Sequence, residues 1–184
     1  MDKSKILKEI QKSSKYTGIS SFTIERLIEN GLRRYKKEKD VIKYVKKELH
    51  IVWGIFFKKI LDFNKYIDNP EELLHIHMST DERFSFVQSF YTEIFKYLPD
   101  NTTNIADYGC GFNPLNIQYM PLKENTNYYA YDIYKQEIEF LNKYADIYLK
   151  NIHFTAEVKD IFEEDINKYD VVFLLKMLPI LEEQ

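Results

Sequence analysis

The residues of this chain best suited to chemistry lie in one short stretch, Asn104 to Leu115 (N-I-A-D-Y-G-C-G-F-N-P-L). It reads as an apolar strand that ends on an acidic residue and turns through Gly-x-Gly, so that the backbone can approach a ligand that any Cβ would hold off. A dinucleotide fingerprint wants a third glycine where Pro114 stands, and a pyrophosphate seated on the following helix therefore fits poorly. Asp107, directly before Gly109 and Gly111, repels phosphate and favours a cationic group such as the amino group of a bound amino acid. S-adenosylmethionine satisfies that pattern better than NAD. A second strand-like run ends at Asp132, 21 residues beyond Gly111, where a carboxylate can accept from both ribose hydroxyls. Asp160 follows the third such run, near where an adenine edge would lie, and Leu175 closes the fourth, facing the same crevice. Glycines acting only as turn formers are the alternative reading of the pattern.

Two other groups could be reactive. His75-x-His77 suggests a metal, but no Cys, His or Asp cluster at ligand spacing completes four ligands, so no metal site is expected. Cys110, the only cysteine, has no matched base motif and sits between two glycines. A packed thiol is the better expectation than a nucleophile, and a single cysteine forms no internal bridge.

The elements that must position these residues are legible from periodicity. Beyond Pro99, strand-like runs at 104–108, 128–131, 152–155 and 170–175 alternate with helical stretches after Pro114 and over 135–149, a pattern that predicts parallel βαβ units in an α/β, Rossmann-like doubly wound sheet. Before it, 1–65 reads as helices, with Val41, Tyr44, Val45, Leu49 and Val52 at three- and four-residue spacing over 39–63. Ser20 or Ser21 is a candidate cap, and Asn30-Gly31 a candidate break. Ser79 and Glu82 form a capping box that predicts a helix from Ser79 to about Leu98. The division expected is a helical domain, 1–75, followed by a sheet domain, 76–184.

Charge separates the same two parts. The 184 residues carry a net charge of −3, yet residues 1–65 hold 17 Lys and Arg against 8 Asp and Glu, whereas 66–184 hold 9 against 21. A basic front can meet a polyanion by releasing condensed counterions, and nucleic acid is the natural candidate; solvated helix faces in a Lys-rich chain are the other. With 45% apolar residues and 16% aromatic, disorder is excluded. The uncharged run 51–57 is too short to span a bilayer, and the start lacks a secretory core, so a cytoplasmic protein is expected.

Six blocks, in order along nearly the whole chain, carry a resemblance: K-S-S-K-Y (12–16), K-E-L-H-I-V-W-G (47–54), H-M-S-T-D-E-R (77–83), D-Y-G-C-G-F-N-P-L (107–115), A-Y-D-I (130–133) and D-V-V-F-L-L-K-M-L-P-I-L (170–181). Together they resemble the Arm/Rmt family of aminoglycoside-resistance methyltransferases. The resemblance implies transfer of a methyl group from S-adenosylmethionine to N7 of a decoding-site guanine of 16S rRNA in the assembled 30S subunit, conferring drug resistance. It implies a cofactor loop over His77, Met78, Ser79, Thr80, Asp81, Glu82 and Arg83, with Arg83 on the methionine carboxylate. It also implies Asp107, Gly109 and Gly111 at the turn, Asp132 on the ribose, Asp160 beside adenine, and Leu175 with Gln184 as floor and far wall. No catalytic side chain is implied, because guanine N7 carries a free lone pair and needs alignment only. The basic front, with Arg33, Arg34, Lys36 and Lys37, would grip RNA through phosphates and shape. Family members continue beyond the position of Gln184, so a C-terminally truncated chain holding strands 3-2-1-4 is expected, its fourth strand an apolar edge prone to association. A noncatalytic remnant with weak RNA or cofactor binding is the alternative.

Overall fold

Three amphipathic helices open the chain, each burying one apolar stripe. In the computed structural model, which describes residues 1–54, 62–163, 169–178 and 181, these are α1 (Lys3–Gln11), α2 (Ser21–Arg34) and α3 (Glu38–Leu49). Asp2 caps α1, its Oδ1 accepting from the amides of Ser4 at 2.9 Å and Lys5 at 3.3 Å. Ile6 and Ile10 of α1, Ile24, Leu27 and Ile28 of α2, and Val41, Val45 and Leu49 of α3 are buried together, the spacing that turns one helix face inward. Gly31 does not end α2. It lies inside the helix, where an added Cβ would stand 3.0 Å from the side chains of both Val41 and Tyr44, so its absence of side chain sets how closely α2 and α3 pack.

The helix expected over 39–63 stops being α-helical at Leu49 and passes into a wider π turn, His50–Gly54; 55–61 lie outside the described residues. The helix expected from Ser79 to Leu98 is two helices, α5 (Met78–Phe84) and α6 (Val87–Phe95), after a short α4 (Glu71–Ile76). The capping box does not form, because the Ser79 hydroxyl lies inside α5 and accepts from Arg83 Nη1 at 3.1 Å. Extended His77 occupies the cap position instead.

The sheet domain follows the predicted alternation. Strands β1 (Asn104–Tyr108), β2 (Asn127–Asp132), β3 (His153–Val158) and β4 (Val171–Phe173) form a parallel sheet in the order β3-β2-β1-β4. Helix α7 (Lys135–Tyr148) makes the crossover from β2 to β3, whereas the segment after Pro114 is a 3-10 helix, Asn113–Tyr119, rather than an α-helix. Strand β4 is shorter than the expected 170–175; before it, the Asp170 amide donates to Asn104 O at 2.9 Å and its Oδ2 accepts from the amides of Thr103 and Asn104, each at 2.8 Å. Among the described residues β4 is a sheet edge, with Val172 half exposed.

The helical front is bolted to the sheet through backbone. The Ser20 amide donates to Ile133 O at 2.8 Å and the Lys135 amide to Gly18 O at 2.9 Å, so the chain before α2 pairs with the turn leaving β2. Apolar burial is continuous from Ile6 through Phe63 and Phe112 to Phe140 and Phe173. Among the described residues no helix is long and apolar enough to cross a membrane.

Candidate functional site

At the carboxyl ends of β1, β2 and β3 the glycine turn and the post-strand acids face one cleft enclosing about 720 Å³ of empty space, part of it open to solvent. Parallel sheets collect ligands there because the strand order reverses between neighbouring loops. Gly109 and Gly111 have φ of +62° and +47°, the left-handed region that side chains disfavour. A Cβ on Gly111 would also stand 2.9 Å from the His77 ring. Gly111→Ala is expected to lower stability by about 2 kcal/mol through this strain and crowding, read as a shift in the urea midpoint; an unchanged midpoint would contradict the close approach.

Asp132 ends β2 with its side chain bent back to the turn. Its Oδ2 accepts from the Gly111 amide at 2.9 Å and its Oδ1 from the Ile133 amide at 2.7 Å. Burial raises its pKa despite those bonds, and neighbouring Asp160 adds to the rise. Asp160 is held from the opposite side of the cleft. Its Oδ2 accepts from Thr23 Oγ1 at 2.7 Å and Arg26 Nη2 at 3.2 Å, and its Oδ1 from the Phe162 amide at 3.0 Å.

Behind the turn lies a buried polar network. Asn113 Nδ2 donates to Asp107 Oδ2 at 2.8 Å, and Tyr128 Oη donates to the same oxygen at 2.8 Å. Asn113 Oδ1 in turn accepts from Arg83 Nη2 at 3.3 Å and from Tyr91 Oη at 2.5 Å. Asp107 Oδ1 is buried with no hydrogen-bond partner, an unmet acceptor of the kind a bound cation would satisfy. Desolvation pushes the Asp107 carboxyl from its ordinary 3.8 up to about 6. The folded state then holds a proton that the unfolded chain releases between about pH 4 and 6, so stability falls as pH rises through that window, by on the order of 3 kcal/mol. Asp107→Asn is expected to flatten that dependence and to be the more stable protein at pH 7.5 by urea unfolding; an unchanged slope would place its origin elsewhere.

Of the residues singled out from sequence, His77, Ser79, Gly109, Gly111, Asp132, Asp160 and Leu175 line the cleft. Arg83 and Asp107 stand one layer back, joined to it through Ser79 and Asn113. The side chains of Met78, Thr80, Asp81 and Glu82 are not brought to it, because consecutive positions of α5 point around the helix. Met78 is exposed, Thr80 Oγ1 donates to Leu74 O at 2.7 Å, Asp81 pairs with His75 and Glu82 with Lys176. Gln184 lies outside the described residues. His77 is buried against Phe112, and burial followed by the nearby Arg83 charge lowers its pKa to about 3, so its ring is neutral. Cys110 is buried, and its thiol is pushed up by desolvation. Among the described residues no three His, Cys, Asp or Glu side chains are placed to hold a metal. Arg33, Arg34, Lys36 and Lys37 are all exposed around the α2–α3 turn, with exposed Tyr35 among them.

Asn113, Thr23, Arg26 and Met177, whose sulfur packs on Gly109, also belong to the site region. Asn113 was within reach of sequence reasoning as the residue two beyond the second glycine. Thr23 and Arg26 were not, since 137 and 134 residues separate them from Asp160.

A cleft formed by a left-handed glycine turn and a buried carboxylate at the end of the neighbouring parallel strand defines an α/β nucleoside-binding domain of the doubly wound class. Residues 68–184 match the family described as ribosomal RNA methyltransferase (FmrO), and the chain belongs to that family. A 16S rRNA (guanine(1405)-N(7))-methyltransferase of Micromonospora rosea is 30% identical over 194 residues, covering 95% of this chain and 70% of the relative. The solved structure of the 16S rRNA methylase ArmA is 39% identical, with a TM-score of 0.53 over 66% of this chain and 63% of that one. The 16S rRNA methyltransferase RmtF, solved in complex with S-adenosyl-L-homocysteine, shares the fold at a TM-score of 0.81 and 24% identity, covering all of this chain and 74% of that one.

Proposed function

We propose that this protein methylates N7 of a guanine in the decoding site of 16S rRNA in the small ribosomal subunit, with S-adenosylmethionine as donor, an activity that would make its host resistant to aminoglycosides. The observation that carries the reading is the cleft itself: Gly109 and Gly111 in left-handed conformation facing Asp132 and Asp160, with the unmet Asp107 Oδ1 behind them. When bound, the donor supplies an electrophilic methyl on a sulfonium. The chain's own residues bind and orient. Asp132 retains lone pairs for the ribose hydroxyls beyond those its backbone amides use. Asp160 faces the adenine edge, while Asp107 and Arg83, one layer back, act through Asn113 and Ser79, Asp107 supplying negative charge behind the amino group and Arg83 positive charge behind the carboxylate. No residue is assigned a proton transfer, since guanine N7 has none to lose. The base must leave its stack to reach the methyl, as bases do for enzymes acting on them.

The helical segment, 1–75, serves as the rRNA-binding part and 76–184 holds most of the donor cleft, to which α2 adds Thr23 and Arg26, a division suited to Arg33, Arg34, Lys36 and Lys37 lying at the α2–α3 turn. An enzyme of assembled subunits would work in the cytoplasm. The test is incorporation of labelled methyl into purified 30S subunits. One methyl per subunit at guanine N7 is expected; no incorporation at high protein concentration would favour the noncatalytic reading.

A further inference from the structure

We infer that Thr23 and Arg26 of helix α2 are positioning residues for the adenine end of the cleft, holding the Asp160 carboxylate so that it selects a 6-amino purine. The inference rests on the proposed donor but assigns residues from the opposite end of the chain. Asp160 is 3% exposed and shares a cavity with a second buried carboxylate, Asp132. Left alone, two such groups would repel each other and turn toward water. Instead Thr23 Oγ1 and Arg26 Nη2 both donate to Asp160 Oδ2, and the Arg26 guanidinium lies 4.1 Å above the Phe162 ring. That ring belongs to the loop whose Phe162 amide donates to Asp160 Oδ1. The loop after β3 is thus fixed by α2 through a charged hydrogen bond, a hydroxyl and a cation-π contact.

Both carboxylate oxygens are oriented while, among the described residues, three donors occupy about four acceptor positions, leaving Oδ1 room for one more. An adenine amino group can fill it. The oxygen at the same place on hypoxanthine can only repel it. Helix α2 therefore forms one wall of the donor cleft at Thr23 and Arg26, two to three turns before Arg33 and Arg34.

The experiment compares dissociation constants of S-adenosylhomocysteine and S-inosylhomocysteine for the full chain by calorimetry. The parent is expected to prefer the adenine compound by about tenfold or more. In Thr23→Val and in Arg26→Ala that ratio is expected to fall to about threefold or less, with affinity for the inosine compound unchanged, and Thr23→Ser is expected to keep the parent ratio. Thr23→Val is nearly isosteric and keeps the outcome readable should the Arg26 variant fold poorly. Equal losses for both compounds would show mere structural support and overturn the inference, as would an unchanged ratio. A parent that binds neither compound would instead overturn the proposed donor, and this inference with it.

Discussion

Asp132→Ala is expected to weaken S-adenosylhomocysteine binding by at least about a hundredfold, while Cys110→Ala changes it by less than about threefold. The asymmetry comes from what each side chain does. Asp132 is the acceptor for the amides of Gly111 and Ile133, so its removal loosens the left-handed turn as well as deleting the two charged hydrogen bonds proposed to the ribose. Each such bond is worth about 1.5–3 kcal/mol, and either alone accounts for tenfold. Cys110 is equally buried, but its thiol is held up in its neutral form and packs in the apolar core, while its amide donates to Tyr131 O at 3.0 Å. Titration calorimetry well below the unfolding temperature separates affinity from stability. Similar losses in the two variants would contradict the site.

Neutralising Arg33, Arg34, Lys36 and Lys37 together to Gln is expected to weaken binding to 30S subunits by about two to three orders of magnitude at 0.1 M salt. The magnitude of the slope of log affinity against log salt should shrink by about 3, as expected if each cation displaces counterions from one phosphate. All four residues are exposed, and the Arg34 guanidinium lies over the ring of Tyr44 of α3, 5.2 Å from its centre. Donor affinity should stay within about twofold, because none of the four lines the cleft. Filter binding over a salt series measures the first effect and calorimetry the second. A parallel fall in donor affinity would contradict the division into an RNA-binding front and a donor-binding back, and an unchanged salt slope would remove these residues from the RNA surface.

Local pattern determined much of this protein. The alternation of strand and helix beyond Pro99 sets a parallel sheet, since parallel neighbours need crossovers, and the chirality of those crossovers leaves few arrangements. Gly109, Gly111 and Asp132 were legible for the same reason: a strand end, a left-handed turn and the next strand end are tied by short-range geometry. Helix ends were less legible. Ser79 looked like a cap, but Arg83, one turn along, took its hydroxyl, and Asn30-Gly31 looked like a break, although Gly31 serves the packing of α2 on α3.

Tertiary structure alone decided which side chains of a contiguous motif reach the cleft. The segment from His77 to Arg83 reads as one block, yet His77 is an extended cap and the helix that follows turns 100° per residue, so His77 and Ser79 line the cleft while Met78, Asp81 and Glu82 do not. It also decided that Asp160 is held from α2, more than 130 residues earlier. No local periodicity encodes such a meeting, because it arises from docking the helical front on the sheet, where the buried Asp160 carboxylate takes both partners of its Oδ2 from a distant helix.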